Sequence, residues 1–555
     1  MFSEARLFTG PGRFQRFLLL VAALVFCLAI LNRHQLSNGF SILAGDRYDA
    51  VIMATILEHW LHVFSGDAIW SQVSYFYPYT RTIANTDAYF LVGAAYVPFR
   101  LLGLDPFLSS EAAGAIIKST GFIGTYFLCR KFFSFSFFWA LLAAMLFTLS
   151  NGMTIHGQRL QLATVAFAPI MAMLLWSALE AFLEDDLPKF RRAGMGAGVF
   201  FGAWCMTCFY MAWFFTFLFS AFALVMLVKG GRVGLASLGH RLLASWSSVI
   251  LVLAVAGLSL LPFVYAFLPK SQEVGVRLYE TVFANTIPVE NILQVGTDNL
   301  LFGRFYNAIL SAVSPDYSPR GEYYNTGFSL VLFALFVFGC VRCLTQARRQ
   351  KADIVLHSLV IATLVTWSLA LNIDGFSAWY LVYRYFPGAK ALNVIAAYQI
   401  LLALPVVVVA VKYLSTQHNG RPLLLLLSAL LIAGEINEPY LNLDRQAELA
   451  RIALPNAPPE SCRAFYVSGW EEQGRDEFPE VVKSTYAHNV TAMLVAQFAR
   501  IPTINGIASF NPPDWNFGYP ARKDYDERVR AYAERHHVAG LCKLDLNSKQ
   551  WSAAK

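Results

Sequence analysis

The chain is punctuated by runs of apolar residues long enough to cross a bilayer, and this succession limits the fold more than any other feature. A helix needs roughly 20 such residues to span the hydrocarbon core. Runs of this kind lie at 17–31, 109–128, 134–150, 161–182, 194–211, 213–228, 244–268, 327–344, 354–371, 397–413 and 422–438. They predict an α-helical integral membrane protein with about 11 transmembrane helices. Only 14% of the residues are charged and 57% are hydrophobic, whereas soluble domains carry about 25% charged residues. A soluble globular class is excluded.

Basic clusters set the expected orientation. Arg130/Lys131, Lys189/Arg191/Arg192, Lys229/Arg232/Arg241, Arg342/Arg348/Arg349/Lys351 and Lys412/Arg421 fall in alternate connections, as the positive-inside rule requires of cytoplasmic loops. The formal charge of +7 has this origin, so no nucleic-acid partner is expected. The first run follows Arg6, Arg13 and Arg16, and Asn32-Arg33-His34 offers no small-residue cleavage site. It reads as a retained helix with a cytoplasmic N-terminus. An odd number of spans then puts the long connections 33–108 and 269–326, and the C-terminal tail, on the outer face. The stretch 88–102 carries Pro98 and Arg100 and is short. It is expected to be interfacial or re-entrant, because counting it as a crossing inverts every later basic loop.

Composition changes near residue 439. Residues 1–438 form the expected membrane domain, and 439–555 a small α/β or α+β domain outside the cytoplasm. Cys462 and Cys542 both lie in this tail, where disulfides are permitted. Asn489-Val490-Thr491 is a glycosylation sequon, meaningful only in a secretory-pathway host. His536-His537 reads as surface.

The stretch "GDRYDAVIMATILEHW" (45–60) places Asp46 and Asp49 three residues apart, on one face if helical, with Glu58 and His59 behind them. "SYFYPYTRTIANTDAYF" then brings Arg81 and Asp87. Carboxylates and an arginine beside a bilayer surface suit group transfer from a lipid phosphate. A carboxylate takes the acceptor proton, and Arg or Lys steadies the phosphate charge. The plain alternative is a wet loop with ordinary charges, the reading adopted for Asp67 and Glu111. Asp46 stands out because it follows Gly45 in a turn close to the end of the first helix.

"GDRYDAVIMATILEHWLHVFSG" and "FYPYTRTIANTDAYFLVGAAYVPFRLLGLDPF", with "SNGMTIHGQRLQLATVAFAP", "YRYFPGAKALNVIAAYQI" and "TINGIASFNPPDW", resemble bacterial polytopic membrane glycosyltransferases of the GT-C fold. These relatives use polyprenyl-phosphate sugars, so the resemblance implies transfer of a sugar to an extracytoplasmic glycan or lipid acceptor, with inversion. It places the protein in a bacterial inner membrane, with the tail periplasmic. It implies Asp46 as base or acceptor-orienting acid, with Asp49 and Asp87 as further acidic candidates. Related chains carry arginines before the tenth span where this one has Asn393 and Ala397. Arg81, Arg384 and Lys390 are therefore the expected phosphate-binding residues, and a non-catalytic relative is one alternative.

His156, Gln158, Arg159 and Gln161 lie where a span meets outer water, as interfacial caps or as a wall of the substrate pocket. Glu322 and Tyr323 of "GEYYNTGF" suit sugar binding or an aromatic belt. Cys205/Cys208 and Cys340/Cys343 sit in apolar helices without histidine or carboxylate partners, so no metal is expected there. No cofactor motif appears. The glycines of "GMGAGVFFG" read as helix-packing positions. A rival class, a transporter or flippase of lipid-linked glycans, predicts repeated halves, and no internal repeat is present.

Overall fold

Helix α1 (Arg13–Leu31) carries few charges and packs through Cys27 and Leu31 against Phe122, Ala144 and Leu149. It belongs to a computed structural model describing residues 12–155, 159–315, 317, 325–346, 351–417, 421–469 and 480–553. The connection after α1 forms strand β1 (Ile42–Ala44) and then helix α2 (Asp49–Phe64), buried from Ala50 to Trp60. The short helix α3 (Phe90–Leu101) follows, and then the long α4 (Pro106–Lys131). Asp105 caps α4, its side chain accepting the backbone N–H groups of Phe107 and Leu108. Such a cap satisfies donors that the first helical turn leaves unpaired.

The bundle continues through α5 (Phe137–Leu149), α6 (Leu160–Leu183), α7 (Leu187–Cys205), α8 (Phe209–Ala244) and α9 (Trp246–Val274). A short amphipathic helix, α10 (Gly303–Val313), precedes α11 (Leu330–Thr345) and α12 (Lys351–Ala370). Then come α13 (Trp379–Tyr385), α14 (Tyr398–Ser415) and α15 (Arg421–Glu435). Seven helices among the described residues are long and apolar enough to cross a membrane, and four more apolar helices are shorter. The chain is thus a multi-pass membrane protein by helix length and hydropathy. Helix α14 runs through the middle of the bundle, buried at nearly every position.

Helix α3, in the stretch expected to be interfacial or re-entrant, has 12 residues, a rise of about 18 Å. It packs against α2, where the Arg100 guanidinium and the Tyr96 hydroxyl both meet the buried Glu58 carboxylate. Three of the four glycines read as packing positions are just that. A Cβ on Gly194, Gly198 or Gly202 of α7 would stand within 3.0 Å of Val252, Ala256 or Ser259 of α9.

The tail is stitched to the first long connection. Strand β2 (Leu441–Asp444) pairs antiparallel with β1, with an irregularity at Leu43/Ala44. After helix α16 (Arg445–Ile452) come β3 (Ala464–Ser468), α17 (Glu480–Ala499), α18 (Tyr525–Arg535), β4 (Leu541–Asp545) and β5 (Gln550–Ala553). The sheet order is β3-β4-β5, parallel then antiparallel. Cys462 and Cys542 are disulfide-bonded. Two simpler readings need correction. Asn489 is fully buried, its carbonyl oxygen accepting N–H groups from Asn505 and Gly506, so the folded sequon is closed to a glycan. His536 is not free surface: its Nε2 lies 2.7 Å from the Asp514 carboxylate.

Candidate active site

Gly45 adopts φ +96°, a left-handed conformation that costs glycine little. It turns the chain from β1 toward α2, and Asp46 sits in this turn. The Asp46 Oδ1 accepts the backbone N–H groups of Tyr48 (2.8 Å) and Asp49 (3.0 Å). The residue is 7% exposed. Burial, reinforced by the Asp49 carboxylate, pushes the Asp46 carboxyl up to about 6, although the backbone donors and Arg159 pull it down. A carboxyl held there is poised to accept a proton near neutrality.

Asp49 opens α2, and its Oδ2 accepts both Nε (2.8 Å) and Nη2 (2.6 Å) of Arg159. The pair joins the first long connection to the start of α6. Tyr486 of α17 lies within electrostatic reach of Asp46, Asp49 and Arg159, and its ring meets Tyr48 edge-on at 5.7 Å.

Asp87 accepts the N–H of Phe209 at 3.2 Å and bonds the Cys208 side chain, at the join of α7 and α8. Burial pushes its carboxyl up to about 7. The buried Tyr89 lies within electrostatic reach of Asp87, Asp49 and Arg159, so the acidic groups form one strip. On its far side, Tyr210 is within reach of Asp87 and Arg277, and its hydroxyl oxygen accepts the Asn393 N–H at 2.5 Å.

The strip ends in cations at the end of α9. Arg277, just past that helix, donates from Nη2 to the Ser509 carbonyl at 2.7 Å and lies 4.3 Å from the centre of the Phe510 ring. Its backbone N–H reaches the Lys390 carbonyl at 3.2 Å, and its carbonyl accepts the Tyr383 hydroxyl at 2.8 Å. Arg81 lies 4.7 Å over the Tyr265 ring of α9. The Nε atoms of Arg81 and Arg277 are both buried without a hydrogen-bond partner among the described residues. Buried donors of this kind are costly to leave unmade.

Of the sequence-predicted residues, the structure thus gathers Asp46, Asp49, Asp87 and Arg159, with Lys390 tied to the strip through its backbone. Arg384 is exposed at the end of α13. Lys390 is exposed too, its Nζ 5.8 Å over the Tyr383 ring. His156, Glu322 and Tyr323 lie outside the described residues. Arg277 escaped the sequence reading because it is a lone arginine without a motif. Its one signal was its place just beyond an apolar run. Glu111 is no wet loop charge: it lies in α4, its carboxylate accepting the Ala44 N–H and facing Lys118. Asp67 fits its ordinary reading, pairing with the exposed Arg500 at 3.3 Å. Among the described residues, no three His, Cys, Asp or Glu side chains gather as a metal site.

The tail roofs this strip. Asn85 donates its side-chain N–H to the Phe510 carbonyl and accepts the Phe510 N–H, within the segment "TINGIASFNPPDW". Tyr79 donates to Asp514 at 2.6 Å.

No family model and no curated protein sequence matches the chain. Among solved structures it is similar to the apo oligosaccharyltransferase of Archaeoglobus fulgidus, with a TM-score of 0.45 and 13% identity over 97% of this chain and 70% of that one. It is also similar to ArnT of Cupriavidus metallidurans bound to undecaprenyl phosphate, with a TM-score of 0.33 and 14% identity over 89% and 86%. Both likenesses run over most of the chain and are to GT-C glycosyltransferases. At such scores and identities neither transfers a residue role to this chain.

Proposed function

We propose that the strip transfers a sugar from a polyprenyl-phosphate carrier to a hydroxyl of a glycan or lipid acceptor, on the periplasmic face of a bacterial inner membrane. The observation that carries this reading is a buried carboxyl tuned to about 6 on a strip whose other end offers two arginines with unpartnered donors. Asp46 takes the acceptor proton. The acceptor oxygen bonds the anomeric carbon as the bond to the phosphate oxygen breaks, with inversion. Polyprenyl phosphate leaves with the electron pair. Arg277 and Arg81 hold the charge that develops on it, where water is scarce and such contacts count most. Arg159 keeps Asp49 oriented beside Asp46, and Lys390, tied to Arg277 by its carbonyl, adds positive potential at the mouth.

Asn393 stands beside Tyr210, and Ala397 is fully buried, so neither supplies the arginine that related chains carry there. Arg277 fills that electrostatic role in this reading. The competing reading, a non-catalytic relative, rests on the same two residues. Purified protein incubated with radiolabelled polyprenyl-phosphate sugar and membrane acceptors separates them. We expect transfer by the native chain and a loss of about 100-fold or more in Asp46→Asn and in Arg277→Ala. Undiminished transfer by Asp46→Asn overturns the base assignment. No transfer by the native chain favours the non-catalytic relative, and carrier movement across vesicles without transfer favours a flippase.

A further inference from the structure

A second space in the bundle is used by no part of the proposed reaction. It lies between α4, α6, α8, α12 and α14 and has a volume of about 380 Å³. A wall of buried rings divides it from Asp87 and Cys208. Trp204 and Phe214 are fully buried, and the Trp204 and Phe215 rings stand 5.5 Å apart. Trp204 is pinned by its indole N–H, which donates to the Thr164 hydroxyl at 3.2 Å.

The lining is hydrocarbon and aromatic: Phe132, Leu175, Phe219, Phe222 and Leu404 are typical. Packed interiors leave few voids larger than a water molecule, and a water here would lack the two to four polar partners it needs. In a membrane protein, the filler is hydrocarbon.

The cavity has a closed and an open end. Ala168, Phe215 and Leu401 are buried, with 0%, 7% and 1% exposure, whereas Leu179, Leu183 and Leu227 are exposed by 37%, 44% and 40%. Helix α4 shows which end is which. Glu111 bonds the backbone two residues before Asp46, and Phe132 follows the same helix about 30 Å further on, at about 1.5 Å per residue. The opening therefore faces away from the Asp46 end. Helix α8 breaks at Gly231 (φ +60°), yet Gly234 and Leu238 beyond the break still line the cavity.

The open end carries both signs: Glu184, Asp185 and Asp186 follow the lining Leu183, and the Lys229 Nζ is bonded to His357 and Ser358, which leaves Lys131 as the cation beside a lining ring. Lys131 holds its Nζ 5.3 Å over the lining ring of Phe132. Lys229 precedes the lining Gly230, and Arg241, three residues past the lining Leu238, pairs with Asp185 at 2.7 Å. A hydrocarbon slot with Lys131 over a ring of its lining fits an acyl chain whose head group brings a phosphate to that ammonium. We propose that this cavity binds an acyl chain of an anionic glycerophospholipid, inserted from the leaflet opposite the Asp46 strip, with its phosphate against Lys131 and its neighbours. The proposal is independent of the sugar-transfer reading.

Native mass spectrometry tests it on full-length protein released from bilayers holding phosphatidylglycerol, phosphatidylcholine and undecaprenyl phosphate in equal amounts. We expect retained phosphatidylglycerol to exceed phosphatidylcholine by about tenfold. The cavity-filling Ala172→Phe/Ala223→Phe variant should lose it by a similar factor, and Lys131→Ala should narrow the head-group preference. Equal retention of the two phospholipids, retention untouched by filling, or undecaprenyl phosphate held in place of phosphatidylglycerol each overturns the assignment. If the filled variant does not fold, the three-lipid competition on the native chain still decides.

Discussion

Asp46 lowers stability at the position where the proposed reaction uses it. Its carboxyl titrates at about 6 in the folded chain against an ordinary 3.8, so between those values the folded form binds a proton that the unfolded form has released. The stabilising contribution is therefore complete below a pH of about 4 and is lost as pH rises through about 6. Above that, the buried charge costs on the order of 3 kcal/mol. Asp46→Asn keeps the Oδ1 acceptor that Tyr48 and Asp49 use and removes the charge. It should be more stable than the native chain by about 3 kcal/mol at pH 8 and show almost no gain at pH 4. Thermal melts in one detergent at both pH values check this, and an equal gain at both would refute the burial account. This residue was legible in the sequence because a glycine-led turn next to an apolar run singles it out. Its neighbours' roles were not. The Asp49–Arg159 pair joins residues 110 positions apart, and Arg277 contacts Phe510 and Ser509 of the tail. Distances of that kind leave no local pattern.

Elements were more legible than sites because a span announces itself in composition. Each predicted run corresponds to a helix, although α5 has only 13 residues and α7 begins seven residues before its run. The α7 boundary was misjudged because Asp186, whose side chain accepts the Lys189 N–H at 3.0 Å, caps a turn that is still polar. Period mattered as much as composition. Gly194, Gly198 and Gly202 recur every four residues on one face and let α9 approach, whereas Gly196 faces away, with Leu174 at 3.8 Å its nearest neighbour for an added Cβ. The two positions should respond oppositely to the same substitution. Gly198→Ala drives a methyl to within 2.9 Å of the Ala256 backbone and should cost about 1–3 kcal/mol. Gly196→Ala should be neutral or gain up to about 1 kcal/mol from helix propensity. Melting temperatures of the two variants decide it, and a similar loss at both would mean that the stripe does not set the α7–α9 approach.

At the scale of the whole molecule, the tail was expected as a separate domain with its own core, and its composition does change where expected. What composition does not record is how much of the tail's backbone pairing is made with the first long connection. Phe76 and Tyr77 donate to the carbonyls of Asn505 and Thr503, Thr503 donates to Ser74, and Tyr532 reaches the Tyr77 carbonyl. The buried Arg47 donates to Thr491 at 2.8 Å and pairs with Glu448. Val490, Met493, Leu494 and Ile507 belong to the same apolar cluster as the spans. These contacts link residues more than 400 positions apart, so loop closure over the whole membrane domain must precede them. The strip between Asp46 and Arg277 is then complete only when the tail has docked. The segment 453–460 is mostly exposed, with its Ala453 and Asn456 carbonyls accepting from Lys549 and Trp551, and is the natural place to separate the two halves covalently. A protease site placed there and cut in the purified protein should leave residues 461–555 bound through gel filtration in mild detergent. The disulfide does not bias that result, because Cys462 and Cys542 both lie on the tail side of the cut. Binding should weaken together with sugar transfer once Tyr79→Phe, Asp514→Asn and Thr491→Val remove two of the side-chain bonds across the seam, Tyr79–Asp514 and Arg47–Thr491. A tail that elutes alone from the nicked native protein would make it an appended module, and the roof over the strip would then have to come from elsewhere in the chain.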